Sequence, residues 1–222
     1  MDVTLAKQCA SCKQNEVITF DNIDHMHLIL FKNKYYHRDC FISVCKERVA
    51  KNNRYSLSYN EALQHVDALE KETMDRIVRK ISQDSLNYHL LDSYDITIVP
   101  KYFWQMIADI ESGKYKNKPC HKISMKTIYN TWCYFQHDLD GIDRFNRSHH
   151  KGPKSDADRL NYDLSIIFQR VPEYRKIIAK EEVEKEIEKQ QKKMETKVNY
   201  EVLGTTSVEI LEQDFYDLVD EI

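Results

Sequence analysis

The sequence predicts a mainly α-helical protein that carries a short β-hairpin module near its N-terminus. Three observations point there. Four Gly and four Pro in 222 residues are too few for the turns that an all-β sandwich requires. Hydrophobic residues make up 41% of the chain, enough for a core, while 31% charged residues suit long solvated helices. Apolar residues recur at helical spacing beyond residue 58, whereas the main β-rich runs, EVITF and HLILFKNKYY, both lie ahead of His37. These shifts in pattern divide the chain into residues 1–50, a helical domain over 51–172, a charged helix over 173–200 and an acidic tail over 201–222.

Each element follows in order. Lys32, Asn33 and Lys34 supply the turn between two strands, and a helix begins near Cys40 and runs to about Val49. KNNRYSLSYN is a polar break in which Ser58 and Glu61 have capping-box spacing. The helix expected after it, 59–83, places Ala62, Leu63, Val66, Leu69, Ile77, Val78 and Ile81 on one stripe. YDITIVP reads as a short strand or an extended linker. Pro100 suits the start of a helix over 100–112, which carries Phe103, Trp104, Met106, Ile107 and Ile110 and stops at Gly113.

KYKNKPCHK is a basic loop leading to a helix from Ser124 to His137, with Met125, Ile128, Tyr129, Trp132 and Phe135 on its apolar face. RSHHKGPKSD reads as an exposed loop, Leu160, Leu164, Ile167 and Phe168 mark the next helix, and Pro172 starts another. EEVEKEIEKQQKKMETK is charged nearly all round, with Val183, Ile187, Met194 and Val198 as a thin apolar line. VNYEVLG then separates a last amphipathic helix, in which Thr206 and Glu209 repeat the capping box and Val208, Leu211, Phe215, Leu218, Val219 and Ile222 share one face.

The first forty residues hold the strongest chemical signal. Cys9-x2-Cys12 and His37-x2-Cys40 are separated by 24 residues. A two-residue gap lets both sulfurs of a tight turn point at one ion, and a second such pair completes a tetrahedron. His37 and Cys40, three apart at a helix start, share a face. The predicted ligands are therefore Cys9, Cys12, His37 and Cys40, and the predicted cofactor is zinc in a closed structural site. Cys45, His25 and His27 are alternatives to His37, while Cys120 and Cys133 read as small apolar residues.

CASC and YYHRDCF resemble the first half of a LIM domain or a treble-clef finger, with the aromatic-His-x2-Cys-Phe pattern intact. A second set of ligands does not follow; only Cys45 does. In general layout the chain also resembles uncharacterised zinc-finger proteins of phages and prophages of low-GC Gram-positive bacteria. That resemblance implies an accessory protein of the bacterial cytoplasm with no established activity.

Signatures of catalysis are missing from the sequence. HRD within YYHRDCF echoes a kinase catalytic loop, but no Gly-rich loop precedes it and no Asp-Phe-Gly follows. There is no HExxH, phosphate-binding loop or nucleophile elbow. His137, His149 and His150 with Asp138, Asp140 and Asp143 are the residues a metal-dependent nuclease would use, but histidines in a loop beside KGPKS are expected to be solvent-exposed instead. The expectation is a non-enzymatic protein.

Charge suggests partners. Residues 114–154 hold nine Lys or Arg against three Asp, a balance of +6, while 201–222 hold seven acids and no base. Lys114, Lys116, Lys118, Lys122, Lys126, Lys151 and Lys154 are the candidate phosphate contacts, and Asn130 the candidate base-reading residue. DNA binding is the favoured function. The alternative is an adaptor or inhibitor that engages a host or phage protein through Leu211, Phe215, Leu218 and Val219. The N-terminus, MDVTLAKQCASC, has no signal-peptide pattern and no window matches a membrane span, so a cytoplasmic location and no membrane contact are expected.

Overall fold

The computed structural model describes residues 3–51, 56–153 and 155–219, the last stretch as backbone alone beyond residue 193. Two antiparallel hairpins come first: β1 (Leu5–Gln8) pairs with β2 (Asn15–Ile18), and β3 (Leu28–Phe31) pairs with β4 (Lys34–His37). The second was expected; the first adds a strand pair around the CASC turn. Lys32 and Asn33 both take left-handed backbone angles (φ 47° and 60°), as a two-residue hairpin turn demands. α1 (Arg38–Ala50) follows β4 without a linker.

The predicted helix over 59–83 is two helices. α2 (Ser56–Gln64) starts ahead of the Ser58–Glu61 box, and α3 (Val66–Ser93) runs ten residues further than expected. His65 breaks them with φ −117° and ψ 25°. The change of direction lets Ala62 and Val66 both enter one apolar cluster with Cys9, Ile29, Tyr36, Phe41 and Cys45. A neighbouring cluster joins Ile18, Ile23 and Leu28 to Ile77 and Ile81 of α3. The hairpin module therefore shares its core with α2 and α3, which suits a segment too small to bury a core alone.

Polar contacts fix the same junction. The Thr73 hydroxyl accepts from the Leu30 N–H at 2.8 Å and donates to the Leu69 carbonyl at 2.7 Å, which satisfies one N–H on the open edge of β3. Arg38 reaches both Glu70 and Asp67 of α3, and His27 joins Glu70 at 2.6 Å. Burial works against ionisation of Glu70, yet the bonds from His27 and Arg38 outweigh it and hold the carboxyl below its usual range.

Residues 94–100 contain no strand, and Pro100 is the N-cap of α4 (Lys101–Ser112). Gly113 ends that helix with φ 89°. The basic loop is a small hairpin, β5 (Lys114–Tyr115) with β6 (Lys118–Pro119), turned by Lys116 and Asn117 at φ 49° and 61°. α5 (Met125–Ser148) starts as expected, with the Ser124 hydroxyl accepting from the Thr127 N–H, but continues eleven residues past His137 because Leu139 extends its buried stripe. Trp132 is wholly buried, edge-on to Phe103 at 5.8 Å and to Tyr94 at 6.3 Å.

α6 (Asp156–Val219) is helical on both sides of Pro172, where a new helix was expected, and through Gly204, where a break was expected. Proline removes one helical hydrogen bond without necessarily ending the helix. Two compact units result, 1–171 and 172–222. In the second, Val183 and Ile187 are exposed on a helix whose other residues here are mostly charged. Among the described residues no helix is long and apolar enough to cross a membrane.

Candidate metal centre

A turn and a helix start bring the four predicted ligands together. After β1 the chain reverses: Lys13 donates its N–H to the Cys9 carbonyl at 3.0 Å, and Cys9 donates to Gln14 at 2.9 Å. Lys13 lies in the left-handed region at φ 66°. The second pair comes from the β4–α1 junction, where His37 caps α1 and Cys40 lies in its first turn. An Ala10 N–H bond to the Tyr35 carbonyl, 2.7 Å, ties the turn to β4.

The donor atoms of Cys9, Cys12, His37 and Cys40 all lie within 4.8 Å of one another. His37 Nδ1 is 3.3 Å from Cys12 Sγ and 3.8 Å from Cys40 Sγ. A tetrahedral ion with metal–sulfur bonds of about 2.3 Å requires ligand separations of about 3.8 Å. The residues fit such an ion. No other group of three or more His, Cys, Asp or Glu donors converges in this way among the described residues.

Glu16 completes the arrangement and was not anticipated from the sequence. His37 Nε2 donates to Glu16 Oε1 at 2.9 Å, which leaves the Nδ1 lone pair facing the thiols. Glu16 stands opposite Lys7 in the β1–β2 register and two residues before buried Ile18. Its half-buried strand position was the available signal, but many strand acids share it.

The thiols are unequal. Burial alone would raise the Cys9 thiol, but backbone N–H groups of His37, Cys12 and Ser11 and the Cys12 side chain point at its sulfur and lower it to about 7. Burial, hydrogen bonds with Cys12 and Cys9, and their charge push Cys40 up to about 11. Sulfurs packed this closely resist sharing negative charge, and a bound cation reverses that balance. This is a Cys3His cluster able to hold a metal ion.

The alternative ligands lie elsewhere. Cys45 is buried among Phe41 and its apolar neighbours, His25 is exposed in a short 3-10 turn, and His27 is paired with Glu70.

The candidate nucleic-acid residues fall into two groups. Lys114, Lys116 and Lys118 project from the β5–β6 hairpin, and Lys122 follows it; all four are exposed. The hairpin is anchored by Tyr115, whose ring stacks on Phe168 at 4.2 Å and whose hydroxyl meets Ser165 at 2.8 Å. Lys116 Nζ donates to the same Ser165 hydroxyl at 3.2 Å. Lys126 and Asn130 are half-buried on α5, with Lys126 Nζ 3.6 Å from Asp24. Lys151 is exposed, and Lys154 lies outside the described residues. The side chains of Leu211, Phe215, Leu218 and Val219 also lie outside them, although the backbone there is helical.

Asp140 and Asp143 lie on α5. Both engage Arg159, at 2.8 and 3.4 Å, and Arg159 also approaches Asp163 at 3.4 Å. Tyr94 donates to Asp163 at 2.7 Å, forming a buried polar network between α3, α5 and α6. The His149 ring lies 4.3 Å from that of Phe145, tilted by 33°.

Fold and site together define a mostly helical protein with an N-terminal Cys3His cluster. Comparison with protein-family models, curated proteins and solved structures gave no match.

Proposed function

We propose that this chain is a zinc-dependent, non-enzymatic binding protein whose lysine hairpin contacts nucleic-acid phosphates. Three thiolates and an imidazole favour zinc, and four protein ligands leave no position for an activated water, so the ion acts as a structural element. In this reading residues 1–50 form a treble-clef-like finger. An accessory or regulatory role in a bacterial or phage cytoplasm follows from the resemblance in layout.

The carrying observation is the set Lys114, Lys118 and Lys122: exposed, borne on or beside an anchored hairpin, and without a carboxylate partner among the described residues. Lysines held this way release counterions when they meet phosphates, so binding should weaken steeply with salt. The test is duplex-DNA affinity across a salt series. Lys118→Glu with Lys122→Glu should weaken binding and reduce the slope of log K against log salt by about 2. Unchanged retention on DNA after both changes would refute the reading.

A second reading, a protein adaptor, is favoured by the continuous helix that carries Leu211, Phe215, Leu218 and Val219 on one side of its sequence. Deleting residues 205–222 should abolish capture of a protein partner while leaving zinc content unchanged. Undiminished capture would remove the tail from that role.

A further inference from the structure

A cavity of about 290 Å³ lies between the turn after β2, the C-terminal half of α3 and one face of α5. It is separate from the Cys3His cluster and from the lysine hairpin. Its volume falls at the small end of ligand sites. Three features of its wall bear on the chemistry of an occupant.

The first is a pair of carboxylates. Asp21, from the turn, and Asp92, from α3, both line the cavity, and neither has an ion-pair or hydrogen-bond partner among the described residues. Among the described residues no Lys or Arg lines it, and His89 is the other titratable wall residue apart from tyrosines. Its Nε2 is 2.9 Å from the amide oxygen of Gln136. The turn bearing Asp21 is preorganised: Asn22 Oδ1 accepts from the Thr19 N–H at 2.8 Å, and Asn22 Nδ2 donates to Val17 at 2.9 Å.

The second feature is Ser85. It lines the cavity, is only 6% exposed and has no hydrogen-bond partner among the described residues. A helical serine ordinarily returns its hydroxyl to the carbonyl four residues back, as Ser82 does to Val78 at 2.7 Å. Ser85 leaves both its donor and its acceptor for whatever enters. The third feature is aromatic. Phe20 stacks on Tyr129 at 5.2 Å, and Tyr88 adds another ring to the wall. Ring faces attract cations and cover short alkyl chains.

We propose that this cavity binds a compact organic cation bearing a primary ammonium or guanidinium group. Asp21 and Asp92 neutralise it, Ser85 accepts one of its N–H bonds, and the rings cover its carbon chain. A bare divalent ion is the poorer fit, because Asp21, Asp92 and His89 do not converge as a ligand set. An occupant would bridge the hairpin module, through Asp21, to α3, through Asp92.

The test uses the full zinc-loaded chain and isothermal titration with 1,4-diaminobutane, with neutral 1,4-butanediol as the control. The expected result is one saturable site for the diamine and none for the diol. Asp21→Asn and Asp92→Asn should each weaken binding at least tenfold, and Ser85→Ala severalfold, with zinc content unchanged. Tyr88→Lys, at an exposed wall position, guards against misfolding of the acid variants: its tethered ammonium should displace the diamine. Competition by a capped Gly-Lys-Gly peptide would identify a lysine side chain as the source of the cation, and failure to compete would identify a free amine. The proposal is overturned if the diamine shows no saturable site, if the diol binds equally, or if both Asn variants bind like the parent.

Discussion

Glu16 Oε1 accepts a hydrogen bond from His37 Nε2 at 2.9 Å, so the hairpin β1–β2 orients a ligand that belongs to β4. The pair fixes both the ring plane and the tautomer of His37. Glu16→Ala should weaken metal binding by about 10–100-fold, and Glu16→Gln by less, because an amide oxygen can still accept. Competition with a chromogenic chelator measures this. Equal affinity in all three proteins would show that His37 needs no such partner.

Gly113 tests the lysine hairpin without touching a lysine. Its φ of 89° lies where side chains are strained, and an added Cβ would sit 3.2 Å from the Cys120 carbonyl oxygen. Gly113→Ala should cost about 1–2 kcal/mol of stability. It should also reduce retention on DNA, because the hairpin begins at the next residue. Full stability in urea titration would contradict the backbone argument.

Much of this was legible in the sequence, and the gaps have physical causes. The ligand spacing located Cys9, Cys12, His37 and Cys40 because metal geometry is local and strict. The stripe Met125, Ile128, Trp132 and Phe135 located the buried face of α5 because helical periodicity survives tertiary context. The break at His65 was not legible, since the stripe runs through it and only packing of Ala62 and Val66 against the hairpin module turns the chain. Pro172 and the Thr206–Glu209 box misled for the opposite reason: they favour a helix start without forbidding continuation. The Arg159 cluster was not legible because Asp140 and Asp143 lie on α5, which only the fold brings to α6; the Arg159–Asp163 pair, four residues apart on α6, is local.

Asp163 makes stability depend on pH in a specific direction. Burial raises its carboxyl to about 6, against the opposing pull of Tyr94 and Arg159. The folded state therefore holds the proton more tightly than the unfolded chain. Its contribution is complete below about pH 4 and is lost as pH rises toward 6, a change of roughly 3 kcal/mol. Comparing parent with Asp163→Asn at each pH cancels the acid lability of the thiolate cluster. The stability difference between the two should shift by that amount between pH 4 and 7, in the parent's disfavour. A pH-independent difference would contradict the assignment.

Arg38 tests how the hairpin module is held to α3. It joins Glu70, a side chain only 14% exposed, and Asp67, which is 88% exposed. Arg38→Ala leaves the Glu70 carboxylate with His27 as its remaining partner and should lower the melting temperature more than Asp67→Ala does. Equal shifts would show that the Glu70 contact contributes nothing.

Metal content tests the central claim most directly. Elemental analysis combined with native mass spectrometry of purified chain should find one zinc per molecule, lost together with N-terminal folding when a strong chelator is added. Cys9→Ser with Cys40→Ser should purify with no zinc. Parent protein free of stoichiometric metal, or a double variant that keeps its zinc, would contradict the assignment of Cys9, Cys12, His37 and Cys40 as the centre that organises the N-terminal module.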